Sequence, residues 1–293
     1  MKKPLHSIFM LVALLLLQAQ LVLAAPPAIT ADAAIVIDAA TEKVVYEKNA
    51  DKKEYPASMT KMLTCIIGLE NGQANRIVSI SPAATDVECT ELWPGEELIF
   101  SDLLNQMMLI SDNGAALAVG EVIGGSQSNF AKIMNQKAQE IGTTNSHFVN
   151  PNGMPHPNHY STARDMAKIA AYGMRNKTFR AIVSTPAKNI YYLKPRGHVE
   201  YCENTNELLA SYPGCTGIKT GYTRAAQGCL AAAAKRGDKE YIVIVMHSKD
   251  WDTRFTEAAA LLDYAFAQPD TTSPKAEPES TKPKRKSKHH HRS

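Results

Sequence analysis

Few cysteines are present, and none falls in a metal-binding pattern. There are five: Cys65, Cys89, Cys202, Cys215 and Cys229. No CxxC pair occurs and no histidine pair stands near a cysteine, so the spacings match no zinc framework. Cys65 and Cys229 lie in apolar stretches and read as small core residues. A Cys202–Cys215 bridge, or one that uses Cys89, stays open, because spacing does not fix connectivity. Internal repeats are absent. Acidic residues are missing altogether between Ile141 and Tyr160.

Apolar runs long enough to cross a membrane are missing too. Ile8 to Leu17, "IFMLVALLLL", is too short for a comfortable span, and Gln18 and Gln20 interrupt its continuation. Lys2 and Lys3 precede the run, and the small residues of "VLAA" follow it before Pro26 and Pro27. This is the layout of a secretory signal peptide over residues 1–24, with cleavage expected after Ala24. Left uncleaved, the segment would act as a weak anchor. In an exported chain the odd cysteine count leaves at least one thiol unpaired or shared between molecules.

What is present is ordinary globular composition. The 293 residues are 44% hydrophobic and 21% charged. Charge is unevenly spread. "TKPKRKSKHHHRS", residues 281–293, carries six lysines and arginines. Removing that +6 arm and the two N-terminal lysines from the total of +3 leaves a body at −5. From Gln268 onward Pro, Thr, Ser, Lys and Glu dominate, so 269–293 reads as a disordered basic tail after a folded domain at 25–268.

Within that domain, residues 33–51 read as two strands joined by a polar turn. A helix is expected from about Ser58 to Glu70, stopped by Asn71 and Gly72. Helices follow over 101–110 with a capping Ser101, over 114–125, over 126–142 closing on Gly142, and over 161–174 with a capping Ser161. Residues 143–160 read as loop. "NIYYL", "GIKTGYT", "GCLAAAAK" and "EYIVIVMHS" read as strands, and 252–267 as a closing amphipathic helix. Strands, then helices, then strands and a last helix imply an α+β (mixed α/β) fold with a mostly antiparallel sheet.

Three short motifs carry the chemistry. Ser58 and Lys61 stand three apart at a helix start. About one S-x-x-K match arises by chance in a chain this long, so the pair alone reads as a solvated helix. If that helix end faces a cleft, Lys61 shares a face with Ser58, and desolvation lets its amine accept the serine proton. Ser111, Asp112 and Asn113 break two helices. They read either as a plain turn or as a proton relay (Ser111) and substrate amide holder (Asn113), with Asp112 bracing the turn. Lys219, Thr220 and Gly221 lie in a strand. They read either as an exposed bulge or as a carboxylate grip, with Gly221 admitting close backbone approach.

In this order the set S-x-x-K, S-D-N, K-T-G resembles that of penicillin-binding proteins and class A β-lactamases. "HFVNPNG", "PNHYSTARDMA", "NTNELLASYPGCTGIKTGYT" and "RFTEAAALLDYAF" narrow the resemblance to the D-alanyl-D-alanine carboxypeptidases, the low-molecular-weight penicillin-binding proteins of peptidase family S11. It runs from about Ala28 to Phe266 and implies a β-lactamase/transpeptidase-like fold, an antiparallel sheet flanked by helices with a helical subdomain. It also implies that Ser58 attacks the carbonyl between two terminal D-alanines of a peptidoglycan stem peptide while Lys61 takes its proton. The N–H groups of Ser58 and Tyr222 would hold the oxyanion, and Ser111 would pass the proton to the leaving amine. Asn113 would hold the substrate amide. Lys219 and Thr220, helped by Arg254, would grip the free carboxylate. β-Lactam antibiotics would trap Ser58 as a slow ester. No cofactor, metal or nucleic-acid partner is expected.

Three other readings are weighed. Class A β-lactamases use a glutamate between the second and third motifs to activate the deacylating water, and the acid-free stretch 141–160 counts against it. A catalytically dead wall-binding module is opposed by the intact Ser58, Lys61, Ser111 and Lys219. Endopeptidase action on cross-links would use the same machinery. His147 and His159 read as loop-anchoring hydrogen bonders rather than as a triad or metal ligands, for lack of a carboxylate pair or metal spacing. Family members often continue into a β-rich second domain and an amphipathic membrane-binding helix. Only about 25 residues follow the last helix here, which puts anchoring of that kind in doubt. The expected place is the periplasm or the cell wall and extracellular face, with membrane association left open. The basic tail reads equally as a solvated arm or as a contact to anionic lipid headgroups or wall polymers of the envelope.

Overall fold

Alternation along three strands decides the architecture. In β1 (Ala33–Asp38), β8 (Gln227–Arg236) and β9 (Lys239–Ser248) successive buried residues belong to different cores. Ile35, Ala231, Ala233 and Ile244 pack with Met62, Leu63 and Ile169 of the helical layer. Val36, Leu230, Ala232 and Val243 pack on the other face with Phe255, Leu261 and Leu262 of the last helix. Each fully buried large apolar side chain contributes about 1.5–3 kcal/mol, so a sheet apolar on both faces is stable only with both covered.

The computed structural model describes residues 25–269. The expected signal segment at 1–24 and the basic tail beyond Pro269 lie outside the described residues. The remaining elements, in order, are β2 (Val44–Lys48), a 3-10 turn (Ala57–Thr60), α1 (Lys61–Asn71), β3 (Ile77–Ser79), α2 (Pro82–Thr85), β4 (Glu97–Ile99), α3 (Phe100–Leu109) and α4 (Asn113–Gly124). Then come α5 (Gln127–Ile141), α6 (Ala163–Arg175), α7 (Lys177–Val183), β5 (Ala187–Tyr191), β6 (Val199–Glu203), α8 (Leu208–Ser211), β7 (Cys215–Thr223) and, after β8 and β9, α9 (Thr253–Ala267). The main sheet has the order β2-β1-β9-β8-β7 and is antiparallel throughout. β7 is therefore an edge strand. The expected α+β fold with a helical subdomain is the one observed.

Local details differ from the sequence expectations. Ser101 does not cap its helix, which starts one residue earlier at Phe100 with Ile99 before it and no side-chain cap. Thr162, not Ser161, caps α6, accepting from Asp165 N. Ser161 instead exchanges two backbone hydrogen bonds with Glu54. Asp112 caps α4, so Asn113 is its first residue. The short elements β3, β4, β6, α2, α7 and α8 carry too few residues to show a period. No disulfide forms: all five cysteines are free. Cys65, Cys229 and Cys202 are buried, and burial pushes the Cys202 thiol up to about 12. No helix among the described residues is long and apolar enough to cross a membrane.

Candidate active site

Ser58 sits in the 3-10 turn that runs straight into α1, and Lys61 opens α1 one turn later. Lys61 is fully buried. Its Nζ lies 2.9 Å from Ser58 Oγ, 2.7 Å from Asn113 Oδ1 and 2.9 Å from the Asn152 carbonyl oxygen. Desolvation lowers its pKa to about 7, against a smaller upward pull from Asp112. Near neutral pH the amine therefore exists substantially uncharged, with two N–H bonds and one lone pair. Asn113 Oδ1 and Asn152 O can only accept, so they take the two N–H bonds. The lone pair is left for the Ser58 hydroxyl, which alone among the three partners can donate.

Both acceptors are fixed by folding. Asn113 Nδ2 donates to Glu88 O at 2.8 Å, which turns Oδ1 toward Lys61. Its backbone N–H donates to Cys89 O. The Asp112 carboxylate anchors that turn by accepting from Ala115 N, Thr90 Oγ1, Glu91 N and Gln106 Nε2. Bracing by Asp112 is thus as expected. The Asn113 amide differs from expectation: its oxygen serves Lys61, and one N–H is already committed to Glu88. The second N–H faces Met154 Sδ, a weak acceptor 3.9 Å away at the cleft.

Asn152 belongs to the 143–160 loop, pinned to α1 by Thr64 Oγ1 donating to Pro151 O at 2.7 Å. Gly153 follows at φ +88, where a Cβ would stand 1.9 Å from Ala57 O. Only glycine lets the loop lie against the nucleophile's turn. His159 completes the clamp. It is buried, with Nδ1 accepting from Val149 N at 3.2 Å and Nε2 3.0 Å from Thr60 Oγ1. Desolvation drops its pKa to about 4, so it is neutral, and Nε2 is the donor. His147 Nδ1 donates to Asn158 O at 2.6 Å, and its backbone exchanges two hydrogen bonds with Tyr160. Both histidines are loop anchors, as their surroundings in the sequence implied.

A cleft of about 580 Å³ opens above these groups. Ser58, Ser111 and Asn113 line one side, and Thr220, Gly221, Tyr222 and Trp251 line the other. Ser111 has φ +64, a left-handed conformation for a non-glycine residue at the break between α3 and α4. Gly221 faces the nucleophile: a Cβ there would press to 3.1 Å on Ala57 Cβ, Pro56 O and Ser58 N. Its missing side chain makes room for the nucleophile's own backbone.

Lys219 is buried beneath the cleft wall and keeps one long contact, 3.5 Å to Thr220 Oγ1. Desolvation, then Lys61, then Arg254 push its pKa well down. Thr220 Oγ1 also pairs with Thr205 Oγ1 at 2.6 Å. Arg254, like Lys219, is not among the residues lining the cleft. It lies fully buried behind β7, donates Nη1 to Gly221 O at 2.8 Å and stacks on Trp251 at 3.9 Å. Its Nε and Nη2 are buried without a hydrogen-bond partner. Lys219 and Arg254 thus form a basic wall short of acceptors, and an incoming anion would favour the charge on Lys219 that burial disfavours.

Sequence reasoning missed Asn152, Thr205, Trp251, Met154 and Glu88 at the cleft. A backbone carbonyl leaves no side-chain signature. The others lie outside the three motifs, with no spacing to single them out. Glu88 is the one carboxylate among the cleft-lining residues and is exposed.

The family profile described as D-alanyl-D-alanine carboxypeptidase, peptidase family S11, matches residues 20–250. The chain is 35% identical over 239 residues to D-alanyl-D-alanine carboxypeptidase DacF of Bacillus subtilis, covering 79% of this chain and 61% of that protein. It is 34% identical over 244 residues to the D-alanyl-D-alanine carboxypeptidase of Streptomyces sp. K15, covering 78% of this chain and 84% of that one. The solved structure of the Streptomyces K15 DD-transpeptidase superposes with a TM-score of 0.79 at 32% identity, over 84% of this chain and all of that one.

Proposed function

The chain belongs to the D-alanyl-D-alanine carboxypeptidases of peptidase family S11, and we propose that it removes the terminal D-alanine from peptidoglycan stem peptides through an acyl-enzyme on Ser58. The observation that carries this reading is the neutral Lys61 amine, whose one free lone pair is left to the Ser58 hydroxyl 2.9 Å away.

Ser58 Oγ attacks the carbonyl between the two D-alanines, and its proton passes to Lys61. The oxyanion is held by the N–H groups of Ser58 and Tyr222, where fixed donors in a dry site give the largest stabilisation. Lys219, with Thr220 and the charge of Arg254 behind it, binds the terminal carboxylate, and Asn113 offers its remaining N–H to the substrate amide. Collapse expels D-alanine, whose amine takes a proton through Ser111. Water then hydrolyses the ester and restores Ser58. A β-lactam opens on Ser58 in the same way but leaves no free amine to depart.

In this reading residues 1–24 direct export, 25–268 form the peptidase domain, and the enzyme works on the wall in the envelope, trimming peptides that shape it. The +6 arm at 281–293 adds electrostatic contact with anionic envelope polymers. Deleting 269–293 should then reduce envelope retention at low salt, and unchanged retention would remove that contact from the account.

The pure protein, offered a D-Ala-D-Ala peptide and penicillin in parallel, should release D-alanine and turn penicillin over slowly. Fast penicillin hydrolysis without D-alanine release would replace this reading by a β-lactamase. Cleavage confined to cross-linked dimers would make it an endopeptidase.

A further inference from the structure

Behind the nucleophile's turn, on the far side of its lead-in segment, three donor side chains from distant parts of the chain converge. Asp32 immediately precedes β1, Glu54 lies four residues before Ser58, and His247 is near the end of β9. His247 Nδ1 stands 3.4 Å from Asp32 Oδ2 and 3.4 Å from Glu54 Oε2. One donor atom from each of the three residues lies within 4.8 Å of the others.

We propose that Asp32, Glu54 and His247 form a binding site for a divalent transition-metal ion, with zinc the best match, that braces the segment leading into Ser58. Ligands bonded to tetrahedral zinc at about 2.0–2.1 Å stand roughly 3.3–3.4 Å apart, the spacing His247 keeps from each carboxylate. One imidazole with two carboxylates suits zinc better than calcium or magnesium, which select all-oxygen shells. Three protein ligands leave a fourth position for water.

A second observation points the same way. Glu54 keeps only 10% of its side chain exposed. His247 Nδ1 is buried without a hydrogen-bond partner, and Glu54 Oε1 meets only the Lys52 ammonium. The Lys52 ammonium sits 2.6 Å from Glu54 Oε1, an ion pair outside hydrogen-bond geometry, and 2.9 Å from Asp32 Oδ2. It is a resident cation that bridges the two carboxylates. Its side chain is 48% exposed, so it can swing into water at little cost. The backbone scaffold is rigid where it matters. Asp32 N donates to His247 O, and Glu54 is held to Ser161 by two backbone bonds.

On binding, Lys52 leaves, His247 takes the tautomer with hydrogen on Nε2, and Nδ1 and the two carboxylates close on the ion. No redox or covalent step is involved. The ligands lie at 32, 54 and 247, so no short spacing betrays them, and the expectation of no metal rested on spacing alone.

The test uses the full chain with His289→Ala, His290→Ala and His291→Ala, because the tail histidines bind zinc on their own account. The protein is stripped with EDTA, reloaded with zinc chloride, gel-filtered and assayed for bound metal. One zinc per chain should remain, and saturating zinc should raise the unfolding midpoint by about 5 °C. His247→Ala and Glu54→Gln should each weaken zinc binding at least about tenfold. Lys52→Met, which removes the competing cation, should tighten it. Penicillin labelling of Ser58 checks that each variant is folded. Should His247→Ala fail that check, Lys52→Met decides. The proposal is overturned if the chain retains no zinc, if folded His247→Ala retains as much as the parent, or if Lys52→Met binds no more tightly.

Discussion

The side-chain nitrogen of Lys61 and the backbone oxygen of Asn152 are 2.9 Å apart, joined across 91 residues of chain. With Asn113 Oδ1 taking the other N–H, this contact aims the amine's lone pair at Ser58. A loop with no catalytic side chain in this contact therefore sets the direction of proton transfer.

The pH dependence of acylation follows from Lys61. Burial lowers its pKa to about 7, and only the neutral amine accepts a proton. Below that value the amine is charged and acylation slows. Above it the rate levels off. Second-order rates with a fluorescent penicillin, followed from about pH 5 to pH 9, should rise through a midpoint near 7. A flat profile would show that Lys61 does not titrate there.

Asn113→Asp should move that midpoint upward. It puts a carboxylate where Oδ1 now stands, 2.7 Å from Nζ, and a close opposite charge raises a lysine pKa by about 1–3 units. Activity lost at neutral pH should return at higher pH. Asn113→Ala removes the acceptor without adding charge. It should cost about 10- to 100-fold in acylation rate through misorientation, with no recovery on the alkaline side.

Gly153→Ala should disable the site from outside the three motifs. The new Cβ meets Ala57 O at 1.9 Å on a backbone at φ +88, so the loop or the nucleophile's turn must move. A stability loss of about 3 kcal/mol or more is expected, with acylation falling alongside. Thermal unfolding and penicillin labelling together read both effects.

His159 should make the protein sensitive to mild acid. Its folded pKa of about 4 lies below the ordinary 6.5, so the unfolded chain binds the extra proton. Stability is complete above pH 6.5 and declines as pH falls toward 4, by up to roughly 3 kcal/mol. His159→Gln should flatten that decline while lowering stability at neutral pH by about 1–3 kcal/mol, because Thr60 and Val149 lose a matched partner. Denaturant midpoints at several pH values would register both changes.

What was legible in the sequence was what side-chain type and period encode. Ser58 and Lys61 share a helix face because they are three apart, and that needs no tertiary information. β8 was readable as a strand despite its alanines because Gly and polar residues bound it, and its alternation then distributes Leu230 and Ala231 to opposite cores. The illegible part depends on long-range packing. That Arg254 lies fully buried and donates to Gly221 O could not be read from its helix pattern. Nor could the packing of Gly221 against Pro56, Ala57 and Ser58. Ser101 and Ser161 matched a capping pattern that their neighbours in space overrode. The Asn152 carbonyl carries no residue signature at all.

The central claim is that Ser58, activated by Lys61, is the acylated residue. Intact-mass and peptide mapping after brief penicillin exposure test it most directly. The account predicts one penicilloyl adduct per chain, carried on the peptide containing Ser58, slow to leave, and absent from Ser58→Ala and Lys61→Ala. An adduct on Ser111 or Cys89, or labelling that survives Ser58→Ala, would contradict it.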